Sequence, residues 1–88
     1  MSFGDPFAAI ADPNRRVLLE SLRRGPDTVN ALSEKLPEIS RPAVSQHLKA
    51  LLDSGLVDVR SEGTKRIYSI NQKGFDPLNL WLDQFWSN

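Results

Sequence analysis

Residues 40–57 read SRPAVSQHLKALLDSGLV, and this stretch carries one capped helix with two different faces and a stop. Ser40 is a good N-cap, Ile39 and Val44 stand at the two hydrophobic-staple positions, and Gly55 ends the helix. The pattern predicts a helix over residues 41–54. Val44, Leu48 and Leu51 recur at helical spacing with Leu52 at their flank, so this side faces a core. Opposite them lie Pro42, Ser45, Gln46 and Lys49, with Arg41 at the N-terminus and no acid before Asp53. Ser, Gln, Lys and Arg are side chains that donate to phosphates and base edges in a DNA major groove. An ordinary solvated helix face looks the same, so the neighbouring elements must decide between the two readings.

Upstream, Thr28 is the expected N-cap of a shorter helix in which Val29, Leu32 and Leu36 recur at i, i+3 and i+7, and Pro37 stops it. Residues 36–40 then form a connection of the length a helix-turn-helix uses, with Pro37 where such turns often carry glycine. Downstream the period changes. Val57 and Val59 alternate with Asp58 and Arg60, Ser61-Glu62-Gly63-Thr64 reads as a turn, and residues 66–70 return with Tyr68 and Ile70 on one face. A lone hairpin is not stable, so Leu56, Val57, Tyr68 and Ile70 are expected to pack on the helices. Arg60, Lys65 and Arg66 lie near its tip, either as edge-strand protection or, beside a reading helix, as a DNA-contacting wing.

Both ends of the chain read as helices. Asp5-Pro6 and Asp12-Pro13 are cap-and-first-turn pairs. The first opens a short helix with Phe7, Ile10 and Ala11 on one face; the second opens a helix over residues 13–24 with Leu18, Leu19 and Leu22 inward and Gly25-Pro26 as its stop. Arg15, Arg16, Arg23 and Arg24 form a solvated face, some of it within reach of a DNA backbone. Asp76-Pro77 is a third such pair, opening a last helix with Leu78, Trp81, Leu82 and Phe85 at i, i+3, i+4 and i+7 and with Phe75 and Trp86 at its edges. This aromatic stripe either folds back as core or forms a subunit interface, where Trp and Phe are enriched. With Phe7 and Ile10 at the other terminus, a homodimer built from the two terminal helices is the expectation. The fold class predicted is mainly α with a small β-hairpin: a winged helix-turn-helix of five helices and a two-stranded wing, spanning residues 1–88 as one domain.

A chain of 88 residues buries a modest core alone, which oligomerisation would supplement. It has no bilayer-spanning apolar run and no signal-peptide pattern, so a cytoplasmic protein without a membrane partner is expected. No cysteine means no disulfide framework, thiolate nucleophile or thiolate metal site. The absence of a Gly-rich phosphate loop, paired catalytic carboxylates or a nucleophile motif argues against an enzyme and against a cofactor. Formal net charge is zero, which by itself counts against nucleic acid, but residues 41–73 hold six bases against three acids, so the positive excess lies in the proposed reading helix and wing.

The runs IADPNRRVLLESL and SRPAVSQHLKALLDSGLVDVRSEGTKRIYSI, with Ser45, His47, Leu48, Leu51, Gly55, Leu56 and Val57 followed by Glu62, Gly63 and Tyr68, resemble the ArsR/SmtB family of winged-helix repressors. The resemblance implies a homodimer joined by its first and last helices, a recognition helix in the major groove of a palindromic operator, wings on the flanking minor groove or backbone, and repression relieved by an effector. The metal-sensing members carry Cys, His and carboxylate ligands, whereas this chain has no Cys and only His47, so no metal site is expected. Its signal would be a partner protein, an unidentified small molecule or autoregulation. Candidate DNA-contacting residues are Ser40, Arg41, Pro42, Ser45, Gln46, His47, Lys49, Arg60, Lys65 and Arg66, with His47 either phosphate-facing or structural. Candidate dimer residues are Phe7, Ile10, Leu78, Trp81, Leu82, Phe85 and Trp86. A winged-helix module that binds protein instead of DNA is the alternative.

Overall fold

The computed structural model describes residues 4–86, and everything structural below refers to them. Helices α1 (Pro6–Ile10), α2 (Pro13–Leu22), α3 (Val29–Glu34), α4 (Arg41–Asp53) and α5 (Asp76–Asp83) are joined by strands β1 (Asp27–Thr28), β2 (Val57–Glu62) and β3 (Lys65–Ile70) and a 3-10 turn over Gln72–Phe75. Four of the helices start on a side-chain oxygen that accepts an amide hydrogen otherwise left without a partner. The Asp5 carboxylate accepts from the Phe7 amide at 3.0 Å, Asp12 from Asn14 at 2.8 Å and Arg15 at 3.3 Å, Thr28 from Ala31 at 3.2 Å and Ser40 from Ala43 at 3.2 Å.

Helix α4 ends as its sequence demands. Gly55 takes φ 83°, its amide donates to the Leu52 carbonyl and the Leu56 amide donates to Leu51, both at 3.0 Å. That pair of bonds is a Schellman cap, and the left-handed residue at its centre has no steric cost only as glycine. The backbone of Gly74 lies against Gly55 so closely that a side chain at position 74 would collide with the Gly55 carbonyl, which leaves no room for any residue but glycine there.

The core runs between α2, α3, α4 and the inner face of the sheet. Leu18, Leu32, Val44, Leu48, Leu51 and Leu56 are fully buried, with Leu19, Leu22, Val57, Tyr68, Leu78 and Ala9 around them. The hairpin pairs Val57 with Ile70 through to Glu62 with Lys65, leaving Gly63-Thr64 as a two-residue loop, tighter than the four-residue turn expected. A third strand joins it: β1 pairs antiparallel with β3, Asp27 opposite Tyr68 and Thr28 opposite Ile67, in the order β1-β3-β2. The sheet is therefore three-stranded where two strands were expected, because a two-residue strand is too short to show a period and exists only through its partner. Helix ends also move: α3 stops at Glu34, short of Leu36 and Pro37, and α4 at Asp53, one residue before the expected end. Helix α2 stops at Leu22 instead of residue 24, and α5 begins at Asp76 itself, with Phe75 as its N-cap. Asp76 does not cap because the 3-10 turn, held by Asn71 accepting from the Lys73 amide at 3.1 Å, runs directly into the helix.

Asp12 connects this architecture to pH. Burial pushes its carboxyl toward the neutral form, but the amide bonds from Asn14 and Arg15 and the charges of His47 and Arg15 outweigh that, so its pKa is lowered. A carboxylate with a depressed folded-state pKa contributes stability above its unfolded pKa, and that contribution is lost as pH falls through the folded value. Asp12→Ala should cost about 1 kcal/mol at neutral pH, the usual worth of a cap. Asp12→Asn keeps the cap and should remove this group's share of the acid-limb stability loss, seen as a shallower fall of thermal midpoint with pH below the ordinary carboxylate range; an unchanged acid limb would contradict the assignment.

Candidate nucleic-acid interface

Burying Val44, Leu48 and Leu51 turns the other side of α4 outward. Ser40, Arg41, Pro42, Ser45, Gln46 and Lys49 are all exposed, with the first turn of the helix carrying Arg41 and Pro42 and the next Ser45 and Gln46. Together they make a solvent-facing surface of hydroxyl, amide and cationic groups on a rigid, well-capped helix.

The cations near this surface fall into two groups. Lys49 Nζ lies 3.0 Å from the Asp53 carboxylate one turn on, and Arg60 Nε lies 2.9 Å from Glu62, both as exposed pairs. Arg41, Lys65 and Arg66 have no ion pair among the described residues. These three converge on a cleft of about 320 Å³ lined also by Thr28, Val29, Asn30 and Thr64. An adjoining depression of about 480 Å³ shares Val29, Arg41 and Arg66 and is completed by Ser45, Lys49, Leu52 and Tyr68. The two form one groove between the outward face of α4 and the hairpin, with Arg41 and Arg66 lining both parts.

Of the ten residues grouped with this surface from sequence, Arg41, Ser45, Lys49, Lys65 and Arg66 line the groove, Ser40, Pro42 and Gln46 are exposed without lining it, and Arg60 and His47 are placed differently. Cross-strand pairing sets Ser61 opposite Arg66 and Arg60 opposite Ile67, so the period of the strand places Arg66 on the face of Tyr68 and Arg60 on the other, a face that Lys65 shares although at the loop end it still lines the cleft. Arg60 lines neither part of the groove. His47 is half buried, and its Nδ1 accepts from Arg15 Nε at 3.3 Å, so this edge of the ring faces α2. Conversely, Thr28, Asn30 and Thr64 line the groove and were not anticipated. Thr28 and Asn30 arrive there through the β1–β3 pairing, a contact across some forty residues of chain that no local period reveals.

The terminal helices present a second surface. Trp81 packs edge-to-face on Phe7 with ring centroids 5.8 Å apart and on Phe85 at 4.8 Å, tying α5 to α1. Phe7, Trp81, Leu82, Phe85 and Trp86 stay exposed, the last at 71 %. Leu78, expected with them, is 7 % exposed and belongs to the core of the chain itself, while Ile10 packs partly against that core. Leu80 is also exposed, on the side of α5 away from the aromatic stripe. Among the described residues no three His, Cys, Asp or Glu side chains lie close enough together to hold a metal ion, and no helix is long and apolar enough to cross a membrane.

Residues 10–60 match a family described as a helix-turn-helix domain. The chain is 47 % identical over 81 residues to the HTH-type transcriptional regulator Rv2034 of Mycobacterium tuberculosis, covering 92 % of this chain and 75 % of that one. It is 35 % identical to the arsenical resistance operon repressor of Staphylococcus xylosus, over 84 % of this chain and 70 % of that protein. Among solved structures it superimposes with a TM-score of 0.70 on Mb0332 of Mycobacterium bovis, described as a homodimeric winged helix-turn-helix DNA-binding domain and a possible ArsR-family regulator. That match has 27 % identity and covers 90 % of this chain and 76 % of the other. An exposed polar helix beside a cationic hairpin, on this topology and with these relatives, has one reading: the chain belongs to the ArsR/SmtB family of winged helix-turn-helix transcriptional regulators.

Proposed function

We propose that this chain is a DNA-binding transcriptional repressor that acts as a homodimer on a palindromic operator, as one winged-helix domain in the cytoplasm. The observation that carries the reading is the convergence of Arg41, Lys65 and Arg66, free of ion pairs among the described residues, on the groove beside the exposed Ser45 and Gln46. In it, α4 enters the major groove, with Pro42, Ser45 and Gln46 toward base edges, while Arg41, Lys65 and Arg66 hold phosphates on either side. Lys49 joins them when a phosphate displaces Asp53; an exposed i,i+4 pair contributes only about 0.3–0.5 kcal/mol, so it is easily exchanged.

The exposed aromatic face of α1 and α5 supports the dimer, since Phe7, Trp81, Leu82, Phe85 and Trp86 form an apolar patch of the kind that marks an interface. Two copies joined there would present two α4 helices to two half-sites, which is why a palindrome is expected. The repressor relative from Staphylococcus xylosus and the homodimeric Mycobacterium bovis domain point the same way. With no cysteine in the chain, the signal that releases it is taken to be something other than a thiolate-bound metal: a partner protein, a small molecule or the repressor's own abundance.

The two classes of contact should fail differently. Gln46→Ala should weaken the operator complex by about 1–3 kcal/mol and leave binding to random DNA nearly unchanged. Arg66→Ala should weaken both and flatten the dependence on salt by about one unit per subunit, since one fewer counterion is released. Fluorescence anisotropy across a salt series separates them. If alanine at Gln46, Lys49 and Arg66 together leaves binding intact, the surface is wrongly assigned; if the unaltered protein binds no DNA at low salt, the protein-binding module is the better reading. Sedimentation equilibrium at micromolar concentration should show a dimer, and Phe85→Asp, which places an unpaired charge in the apolar face, should show monomer. A monomeric unaltered protein would rule out the dimer.

A further inference from the structure

Arg15, on the first turn of α2, commits its guanidinium group to acceptors of its own chain. Nε donates to His47 Nδ1 at 3.3 Å, Nη1 reaches the Ala8 and Ala9 carbonyls at 3.5 and 3.4 Å, and Nη2 lies 4.0 Å from the Asp12 carboxylate. One planar side chain thus touches the C-terminal half of α1, the cap of α2 and the inner flank of α4. Its side chain is only 23 % exposed, which removes it from the cations available to a phosphate. Arg16 beside it makes the contrasting set of bonds: its Nη1 reaches the Ile10 and Ala11 carbonyls at 2.8 and 3.2 Å and nothing on α4.

The chemistry of the link is specific. Arginine keeps its protons at every pH a protein meets, so Nε is always the donor and His47 Nδ1 must be the bare nitrogen. Whenever this bond is made, the imidazole carries its proton on Nε2 alone, on the helix that presents the exposed Pro42, Ser45 and Gln46. Helix α1 carries Phe7 and is packed by Trp81 of α5, so it belongs to the apolar face proposed to join two copies.

We propose that Arg15 is a positioning residue for operator recognition, a strut that trims the fine angle of α4 relative to the dimer face by joining the α1 carbonyls to His47, within the seating that apolar burial sets. The inference rests on the DNA-binding dimer proposed above. A point charge on a flexible stem cannot reproduce a fork that engages three elements at once, so Arg15→Lys keeps the charge and loses the strut. His47→Leu removes the acceptor, whereas His47→Asn restores an oxygen near the place of Nδ1. Removing the link loosens the fine angle of α4 while its buried face holds it in place, which harms base readout and spares the phosphate contacts.

The test uses a duplex selected by the unaltered protein from a random-sequence library, with a scrambled duplex as the non-specific partner. Arg15→Lys and His47→Leu should each weaken the selected duplex by about tenfold, as expected for a hydrogen bond to a charged group. Both should leave scrambled-duplex affinity and salt slope unchanged. The double variant should be no worse than either single one, because both break the same link. His47→Asn should recover most of the affinity, and Arg16→Lys should change neither duplex. Equal losses on both duplexes with a flatter salt dependence would make Arg15 a phosphate contact and overturn the proposal, as would a fall in thermal midpoint with affinities unchanged. Should Arg15→Lys fail to fold, the His47→Leu and His47→Asn pair decides: an asparagine variant as weak as the leucine variant contradicts the strut. If the unaltered protein selects no duplex, the DNA-binding reading itself falls, an outcome distinct from all of these.

Discussion

Val44, Leu48 and Leu51 have no exposed surface, and because they lie along one side of α4, their burial fixes which side of that helix meets solvent. Fully burying a leucine or valine contributes about 1.5–3 kcal/mol. An exposed pair such as Lys49–Asp53 contributes about 0–1 kcal/mol. Apolar burial therefore sets the rotation of α4, and the ion pairs on its surface only decorate the result. Leu18 of α2 and Leu32 of α3 supply the other side of the contact, Leu56 extends it past the Gly55 cap, and the hairpin then leaves the core in one direction only. The groove between α4 and the hairpin is a consequence of these constraints.

Charge acts at shorter range. The chain is formally neutral, yet screening at physiological salt limits exposed charges to interactions within about 8 Å, so a ligand in the groove meets Arg41, Lys65 and Arg66 and not the acids of the terminal helices. Pairing refines the picture further: Arg60 is partly neutralised by Glu62 and lies on the other face of the hairpin, and Arg15 is committed to internal acceptors. What separates a cation open to a phosphate from a structural one here is the partner each already has. The neutral total hides a division of labour between a cationic groove and an exposed aromatic face.

Much of this was legible in the chain itself, for local reasons. Ser40, Thr28, Asp12 and Asp5 cap helices because a cap needs only the residue and the next few amides, and the apolar spacing of α4 needs only helical geometry. The features that local sequence does not reach depend on distant chain. Strand β1 exists through β3; Asp76 lost its capping role to a 3-10 turn; Leu78 was claimed by the core; and Arg60 was separated from Arg66 by strand register. Asn30 and Thr64 carried no signal of their own, since polar residues near a helix start and in a turn are ordinary. His47 stood at the border of an apolar face, and only the position of Arg15, thirty-two residues earlier, assigns it inward.

One groove, bounded by α4 and the hairpin, is proposed to receive DNA. Backbone amide chemical shifts of isotopically labelled protein, followed while a selected duplex is titrated in, test it directly. The largest changes should fall on residues 40–49 and on Thr64, Lys65 and Arg66, with the Leu19, Arg23 and Phe75 side of the molecule unmoved. Changes centred on Phe7 and residues 80–86, with α4 and the hairpin tip silent, would contradict it.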